Sequence, residues 1–205
     1  KTVGFIGLGV LGSAMAPNII KSGFEVTGFD VRAEAMADME AVGMKPGASP
    51  KDVAEKVDVV VTCLPSLEVL HNVFGGEDGI DKAYKPGQIV IETSTFPVAE
   101  KEKARDTLAA VGKVTLDCPV SGNRILAVKK QLTAFGSGDE AAYRSVEDVV
   151  GGFAHRKFYI GDFGNGMKMK FCGNILNLVH NSVAAEVMVL GMKSGLDPKV
   201  IHEVI

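Results

Sequence analysis

Three glycines near the amino terminus carry the first chemistry that can be read from this chain. Gly7, Gly9 and Gly12, within Gly7-Leu8-Gly9-Val10-Leu11-Gly12, keep G-x-G-x-x-G spacing directly after the apolar segment Val3-Gly4-Phe5-Ile6. At that spacing the first glycine permits a tight turn, the second lets backbone approach a pyrophosphate, and the third packs a helix on a strand. The N–H groups that open the helix then face the phosphates. A flexible glycine loop between two apolar segments is the blander account, and Asp30 weighs against it. That acid ends a second apolar run, Val26-Thr27-Gly28-Phe29, about 20 residues downstream, where a carboxylate meets the ribose hydroxyls of an adenosine. A phosphate-loop nucleotidase would need Lys-Ser/Thr after its last glycine, whereas Gly12 is followed by Ser13-Ala14. A second set of groups lies far along the chain: Lys170, Asn174, Asn177 and Asn181 step by four, three and four, one basic and three amide side chains on one helical stripe. A solvated flank would look the same, although asparagine has no propensity reason to recur there. The four histidines, His71, His155, His180 and His202, are scattered and no nucleophile motif accompanies them, so a hydrolase is not supported.

These groups need a scaffold. Val3 to Ile6 reads as a buried strand, Val10 to Ser22 as a helix stopped by Gly23, and the run to Asp30 as a second strand. A helix is expected over Ala33 to Val42, a short strand near Met44 and a helix over Pro50 to Lys56. Val57 to Leu64 is apolar on both faces, as a central parallel strand should be. Helix-like sequence follows to Val73, then a strand from Gln88 to Glu92, and a helix opened by Thr93-Ser94-Thr95-Phe96-Pro97 and running to about Val111. Strands near Val114 to Leu116, Leu132 to Phe135 and Lys157 to Ile160, with a helix from about Asp139, complete the alternation. The expected class is α/β, with residues 1–163 forming a Rossmann-type, doubly wound, mostly parallel sheet that binds a dinucleotide. Residues 164–205 differ in kind. Asn165 to Ser194 runs without proline and should form one helix about 45 Å long. On it Phe171, Ile175, Leu178, Val179, Val183, Val187 and Leu190 mark a packed face. Gly195 ends that helix, Asp197-Pro198 opens another, and its apolar residues Val200, Ile201, Val204 and Ile205 run on without a stop signal. The expectation is an all-helical domain of which only the start is present, in a chain shorter than the functional protein.

The composition narrows the partners. With 205 residues, 22 basic and 25 acidic side chains and a net charge of −3, the chain has no electrostatic footprint for nucleic acid or an anionic membrane. No targeting leader is evident, and no run is expected to reach membrane-spanning length. Cys63, Cys118 and Cys172 are odd in number, widely spaced and set in apolar surroundings. They suit reduced core thiols better than disulfides or zinc, so no metal site is expected and the compartment is reducing, in all expectation cytoplasmic.

Several separated motifs together resemble the β-hydroxyacid dehydrogenase family, to which 6-phosphogluconate dehydrogenase is related. They are Gly7-Leu8-Gly9-Val10-Leu11-Gly12 with Met15-Ala16-Pro17-Asn18, Leu64-Pro65, Glu92-Thr93-Ser94-Thr95, Asp117-Cys118-Pro119-Val120-Ser121-Gly122, and Gly164-Asn165-Gly166 followed by Lys170 and Asn174. The resemblance spans nearly the whole chain. It implies that Lys170 is the catalytic acid/base, that Asn174 helps hold the substrate, and that Ser121 and Gly122 bind its carboxylate. It also implies that Leu64, Pro65, Val69 and Thr95 lie along the cofactor. The residue types agree with this chemistry: a lysine can take the hydroxyl proton of a carbinol once burial and a neighbouring cation depress its ammonium pKa. Two departures stand out. Where the family commonly has a second glycine after Ser-Gly, this chain has Asn123 and Arg124, which narrow the carboxylate site or add a donor. The segment Ala127 to Leu132 also lacks the family's usual glycine before the strand.

The expected function is therefore hydride transfer between a nicotinamide cofactor and a small β-hydroxy acid, giving its semialdehyde or keto acid. NAD is expected over NADP because Asp30 would repel a 2′-phosphate, with Arg32, placed on a mobile loop, as the group that would welcome one. The rivals are a dinucleotide-binding scaffold without turnover and a sugar-phosphate dehydrogenase of the 6-phosphogluconate type, for which Arg124, Lys129 and Lys130 would have to gather as a basic cluster. A homodimer or homotetramer formed through the long helix and the helical domain is expected, with no nucleic acid or membrane partner.

Overall fold

The computed structural model describes residues 1–205. Its core is a sheet of six parallel strands: β1 (Thr2–Ile6), β2 (Glu25–Phe29), β3 (Lys45–Pro46), β4 (Val59–Thr62), β5 (Ile89–Glu92) and β6 (Val114–Asp117), in the order β3-β2-β1-β4-β5-β6. Every residue of β4 is buried, as its apolar sequence requires of a strand covered on both faces. One face packs α1 (Gly12–Lys21), with Met15 and Ile19, and α7 (Glu140–Phe153), with Tyr143, Val146, Val149 and Phe153, over Val3, Phe5, Val59 and Val61. The other packs α3 (Pro50–Lys56), α4 (Leu67–Gly75) and α5 (Val98–Ala109) over Ile6, Val60 and Val90. Helix α2 (Ala33–Glu40) follows β2. In register, Ile6 faces Thr62 and Glu92 faces Asp117. The turns leaving β1, β2, β4, β5 and β6 therefore share one edge of the sheet, and the strand order reverses between β1 and β4. A crevice at that reversal is where doubly wound sheets bind dinucleotides.

The expectation for the later strands needs correction. The strands beyond β6 do not extend this sheet. β7 (Val120–Ser121), β8 (Leu132–Gly136) and β9 (Ala154–Tyr159) form a separate three-stranded sheet, β7 antiparallel to β8 and β8 parallel to β9. A single bridge, Asp117 to Ser137, ties it to β6. Alternating strands and helices reveal each element but not its partner, which is a long-range choice. The short β7 and the helix α6 (Arg124–Val128) were not expected at all.

The chain divides into two compact units, Lys1–Lys170 and Phe171–Ile205, with the division inside α8 (Asn165–Lys193). In the second unit Gly195 turns the chain at φ 86°, and Asp197 caps α9 (Pro198–Val204) by accepting from the Lys199 N–H at 2.8 Å. The apolar face expected to be packed is exposed: Ile175, Leu178 and Leu190 are each more than 60 % accessible. Periodicity shows that a face favours cover, not what supplies it. Nor does the expectation about membrane-spanning length hold, because by length and composition α8 is long and apolar enough to cross a bilayer. Its polar residues from Phe171 to Met192 are nearly all uncharged, Glu186 being the exception. Cys172 is exposed rather than a core thiol.

Candidate active site

The glycine turn divides its labour as the spacing implied. Gly7 adopts φ 92°, and a Cβ there would strike the Cys63 carbonyl; a Cβ on Gly12 would strike the carbonyl of Gly7. Gly9 has neither constraint, with nothing within 4 Å of where its Cβ would stand. Protein packing thus accounts for two of the glycines, and open space above the third fits close approach by a ligand. Helix α1 begins at this space with no side-chain cap and no acidic residue in its first turn, which suits an anion. Beside it a cleft of about 320 Å³ is lined by Leu8, Val10, Ser13, Arg32, Glu34 and Asp38 among others. A larger, more open hollow of about 540 Å³ lies between the end of α1 and α7, at Ser22, Lys130, Asp148 and Lys157. It contains none of the expected catalytic or cofactor-binding residues.

Asp30 is more engaged than expected. Its Oδ2 accepts the Leu8 N–H at 2.7 Å, and its Oδ1 accepts the Arg32 N–H at 3.0 Å and Nε at 2.9 Å. Arg32 also donates through Nη2 to the Leu8 carbonyl at 2.9 Å. Burial works to raise the Asp30 carboxyl, but the Arg32 guanidinium and the two backbone donors outweigh it and hold the group below its ordinary range. Arg32, rather than swinging on a mobile loop, is pinned across the glycine turn. Ribose recognition by Asp30 would use lone pairs left over from this clamp.

On the other side of β1 from β2, the exits of β4 and β5 carry the remaining cofactor candidates, none of which lines the cleft beside the glycine turn. The Leu64 N–H donates to Ser94 Oγ at 2.7 Å, which fixes the exit of β4 before Pro65. Ser66 caps α4 by accepting the Val69 N–H at 3.3 Å. Thr95 is exposed and is not a helix cap, because Pro97 holds that place on α5. Burial raises the Cys63 thiol to about 11 and that of Cys118 to about 12, so neither is a nucleophile near neutrality.

The expected carboxylate loop is a turn with φ 135° at Gly122, between β7 and α6. Asn123, expected to narrow the site or add a donor, spends its Oδ1 capping α6 at the Leu126 N–H, 3.1 Å away. Arg124 is exposed and makes no ion pair or side-chain hydrogen bond. The basic cluster imagined with Lys129 and Lys130 does not gather: Lys130 Nζ donates to Ser22 Oγ at 3.0 Å, toward the end of α1. Lys130 is the chain's one non-glycine residue with positive φ, 57°, and it stands in the segment where the family's glycine is missing.

Lys170 is half-buried on α8, has no ion pair or hydrogen bond, and burial pulls its ammonium below the ordinary lysine value. Asn174 follows four residues later, in the second unit. The first turn of α8 is bound to the end of β6: the Met167 N–H donates to Asp117 Oδ2 at 2.9 Å and the Gly166 N–H to Ser137 Oγ at 3.0 Å. Lys170 thus follows, by three residues, a point fixed at the sheet edge that also carries the glycine turn.

Sequence reasoning gave no role to Lys101, although it is 1 % exposed. A signal was present, since Lys101, Ala104 and Leu108 share one helical face and the latter two are plainly core residues. Asn18 was likewise quoted without a role. It is buried, and its Nδ2 donates to the Ala14 carbonyl at 3.0 Å and to the Ala127 carbonyl, at the end of α6, at 2.7 Å.

Residues 2–161 match the family model described as the NAD binding domain of 6-phosphogluconate dehydrogenase. The mitochondrial 3-hydroxyisobutyrate dehydrogenase of Rattus norvegicus is 37 % identical over 204 residues, 99 % of this chain and 61 % of that protein. The L-threonate dehydrogenase of Cupriavidus necator is 34 % identical over 206 residues, 100 % of this chain and 69 % of that protein. The chain belongs to the β-hydroxyacid dehydrogenase family. Another member, 3-hydroxyisobutyrate dehydrogenase of Mycobacterium tuberculosis solved with L-serine, superposes with a TM-score of 0.89 at 31 % identity, over 96 % of this chain and 67 % of that one. As a β-hydroxyacid dehydrogenase family member the chain carries the nicotinamide-dinucleotide-binding domain, and it spans about 61 % of the length of the rat relative.

Proposed function

We propose that the protein to which this chain belongs interconverts a small β-hydroxy acid and its semialdehyde or keto acid, with NAD as the preferred cofactor. The observation that carries this reading is Lys170: half-buried, unpaired, its ammonium weakened by burial, and three residues from a helix turn fixed at the same sheet edge as the glycine turn. When bound, the nicotinamide cofactor supplies the hydride acceptor or donor. The uncapped start of α1 and the space above Gly9 receive the pyrophosphate, while Leu64, Pro65, Val69 and Thr95 line its path. In the oxidative direction Lys170 Nζ, as the neutral amine, takes the hydroxyl proton of the carbinol; in the reductive direction it returns that proton to the forming alkoxide. Ser121 and Gly122 receive the substrate carboxylate, and Asn174 keeps the steadying role that the family resemblance gives it. Arg124, free of partners, reads a second acidic group where the substrate has one. The protein is read as cytoplasmic, and as a homodimer or homotetramer whose contacts include the exposed apolar face of α8.

Purified full-length protein, screened with short hydroxy acids and either cofactor, tests the reading. Lys170→Ala should lower turnover by about 100-fold to 10,000-fold, as loss of a general acid/base does, while cofactor affinity holds. Residual turnover close to the parent's would remove Lys170 from the mechanism and favour the scaffold reading.

A further inference from the structure

Deep beneath the sheet edge lies an ion triplet whose three members are each no more than 1 % exposed. Lys101 Nζ stands 2.6 Å from Glu92 Oε2, off the ideal hydrogen-bond direction, pairs with Asp117 Oδ1, and donates to the Ser94 carbonyl at 3.0 Å. Glu92 Oε1 accepts the Ser94 N–H at 2.8 Å. One cation against two carboxylates leaves an excess negative charge, and the surplus is directed at one place. Asp117 Oδ2, the oxygen not used by Lys101, receives the Met167 N–H. Ser137 Oγ stands 3.2 Å from the same oxygen and accepts the Gly166 N–H. Two unsatisfied donors of the first turn of α8, with the positive end of its dipole, thus complete the charge balance. The fit is close: a Cβ on Gly166 would lie within 3 Å of the backbone oxygens of both Phe135 and Asp117. Arg105 over the Phe163 ring, 4.8 Å from its centroid, adds a second tie just before the helix.

We propose that Asp117 and Ser137, with Lys101 and Glu92 behind them, are positioning residues that set the axial place and rotation of the start of α8, residues 165–170, and so aim Lys170. Lys170 lies three residues beyond Met167, about 4.5 Å of helical rise, and between the two no glycine or proline breaks the helix. None of the four touches the reacting atoms in this role. The inference rests on Lys170 being the acid/base.

The test uses the full-length protein and three variants, Ser137→Ala, Asp117→Asn and Lys170→Ala. Ser137→Ala leaves the ion triplet intact and removes the acceptor of the Gly166 N–H together with the hydroxyl that donates to Asp117. Asparagine at 117 cannot accept from both Lys101 and Met167 while its amide N–H₂ occupies one of those directions. Amide hydrogen exchange at Gly166 and Met167 should quicken by about 10-fold or more in both positioning variants. The kcat should fall about 10-fold for Ser137→Ala and about 100-fold for Asp117→Asn, with KM and cofactor Kd nearly unchanged. Unchanged exchange, or quickened exchange with full kcat, overturns the positioning role. If Lys170→Ala abolishes turnover while Ser137→Ala retains it, only the positioning inference fails; if Lys170→Ala is itself fully active, the acid/base assignment fails and takes this inference with it.

Discussion

Replacing Lys101 by methionine should be among the most damaging single changes the fold can suffer. The lysine is 1 % exposed and sits between Glu92 at 1 % and Asp117 at 0 %. Methionine keeps most of the volume of the stem, so packing is nearly conserved and the change isolates the charge. What remains is a pair of buried carboxylates with no cation, and breaking a buried pair by removing one partner costs about 3–5 kcal/mol. For a domain of this size each kcal/mol is about 2–4 °C in Tm, so a fall of roughly 6–20 °C is expected. In the parent, burial works against the Lys101 ammonium, yet the Coulombic pull of Glu92 and Asp117 wins and raises it above the ordinary 10.5. With the folded value above the unfolded one, that stabilisation is fully present below 10.5 and is lost as pH climbs through the folded value. Adding Glu92→Gln to Lys101→Met should recover part of the loss. Urea unfolding at several pH values reads all of this; a deficit under about 1 kcal/mol, or one that ignores pH, would refute the charge argument.

Other expectations follow from single groups. Because burial lowers the Lys170 ammonium below 10.5, oxidative kcat/KM should rise with pH through an inflection under that value and reductive kcat/KM should fall through it; a flat profile in both directions would speak against lysine as the acid/base. Asp30→Asn should release Arg32 from its clamp and shift the NAD:NADP efficiency ratio about 10-fold toward NADP, measured by steady-state kinetics with both cofactors. No shift would mean that the acid serves the turn and not the choice of cofactor. Lys130→Gly should raise stability by about 1 kcal/mol, since left-handed backbone costs a side-chain-bearing residue that much. The hydrogen bond to Ser22 offsets a little of this gain, and denaturant midpoints measure the balance.

Much of the first unit was legible because its signals are local. The run Pro50 to Lys56 carries its own cap and proline and forms the helix expected over those bounds. Val57 to Leu64 reads as a two-faced buried strand and contains one. The glycine turn was legible because each position has its own steric reason. Illegible were choices made at a distance. That β8 and β9 leave the main sheet, that Asp30 spends its oxygens on Leu8 and Arg32, and that Asn123 turns to cap α6 all depend on partners far away in sequence or on local bonds that compete with a ligand. Lys101 failed in a different way: a lysine in a run of charged residues reads as solvated, and only the core residues on its own face betray it. On α8 the helix itself was legible, but the packed face was not borne out: Ile175, Leu178 and Leu190 are exposed, and so are Leu176, Val189 and Met192 outside that set.

If Ser121 and Gly122 receive the substrate carboxylate as proposed, Asn18 bears on how that loop comes to be ready. Through one buried amide it joins the middle of α1, behind the glycine turn, to the carboxyl end of α6, which directly follows Ser121 and Gly122. A loop held this way surrenders its conformational freedom when the chain folds, so on the proposed reading that loss of entropy does not fall again on a substrate acid. The same tie makes α1 and α6 mechanically common property: a strain that shifts α1 is felt at the far end of α6, and neither can drift without drawing on the other.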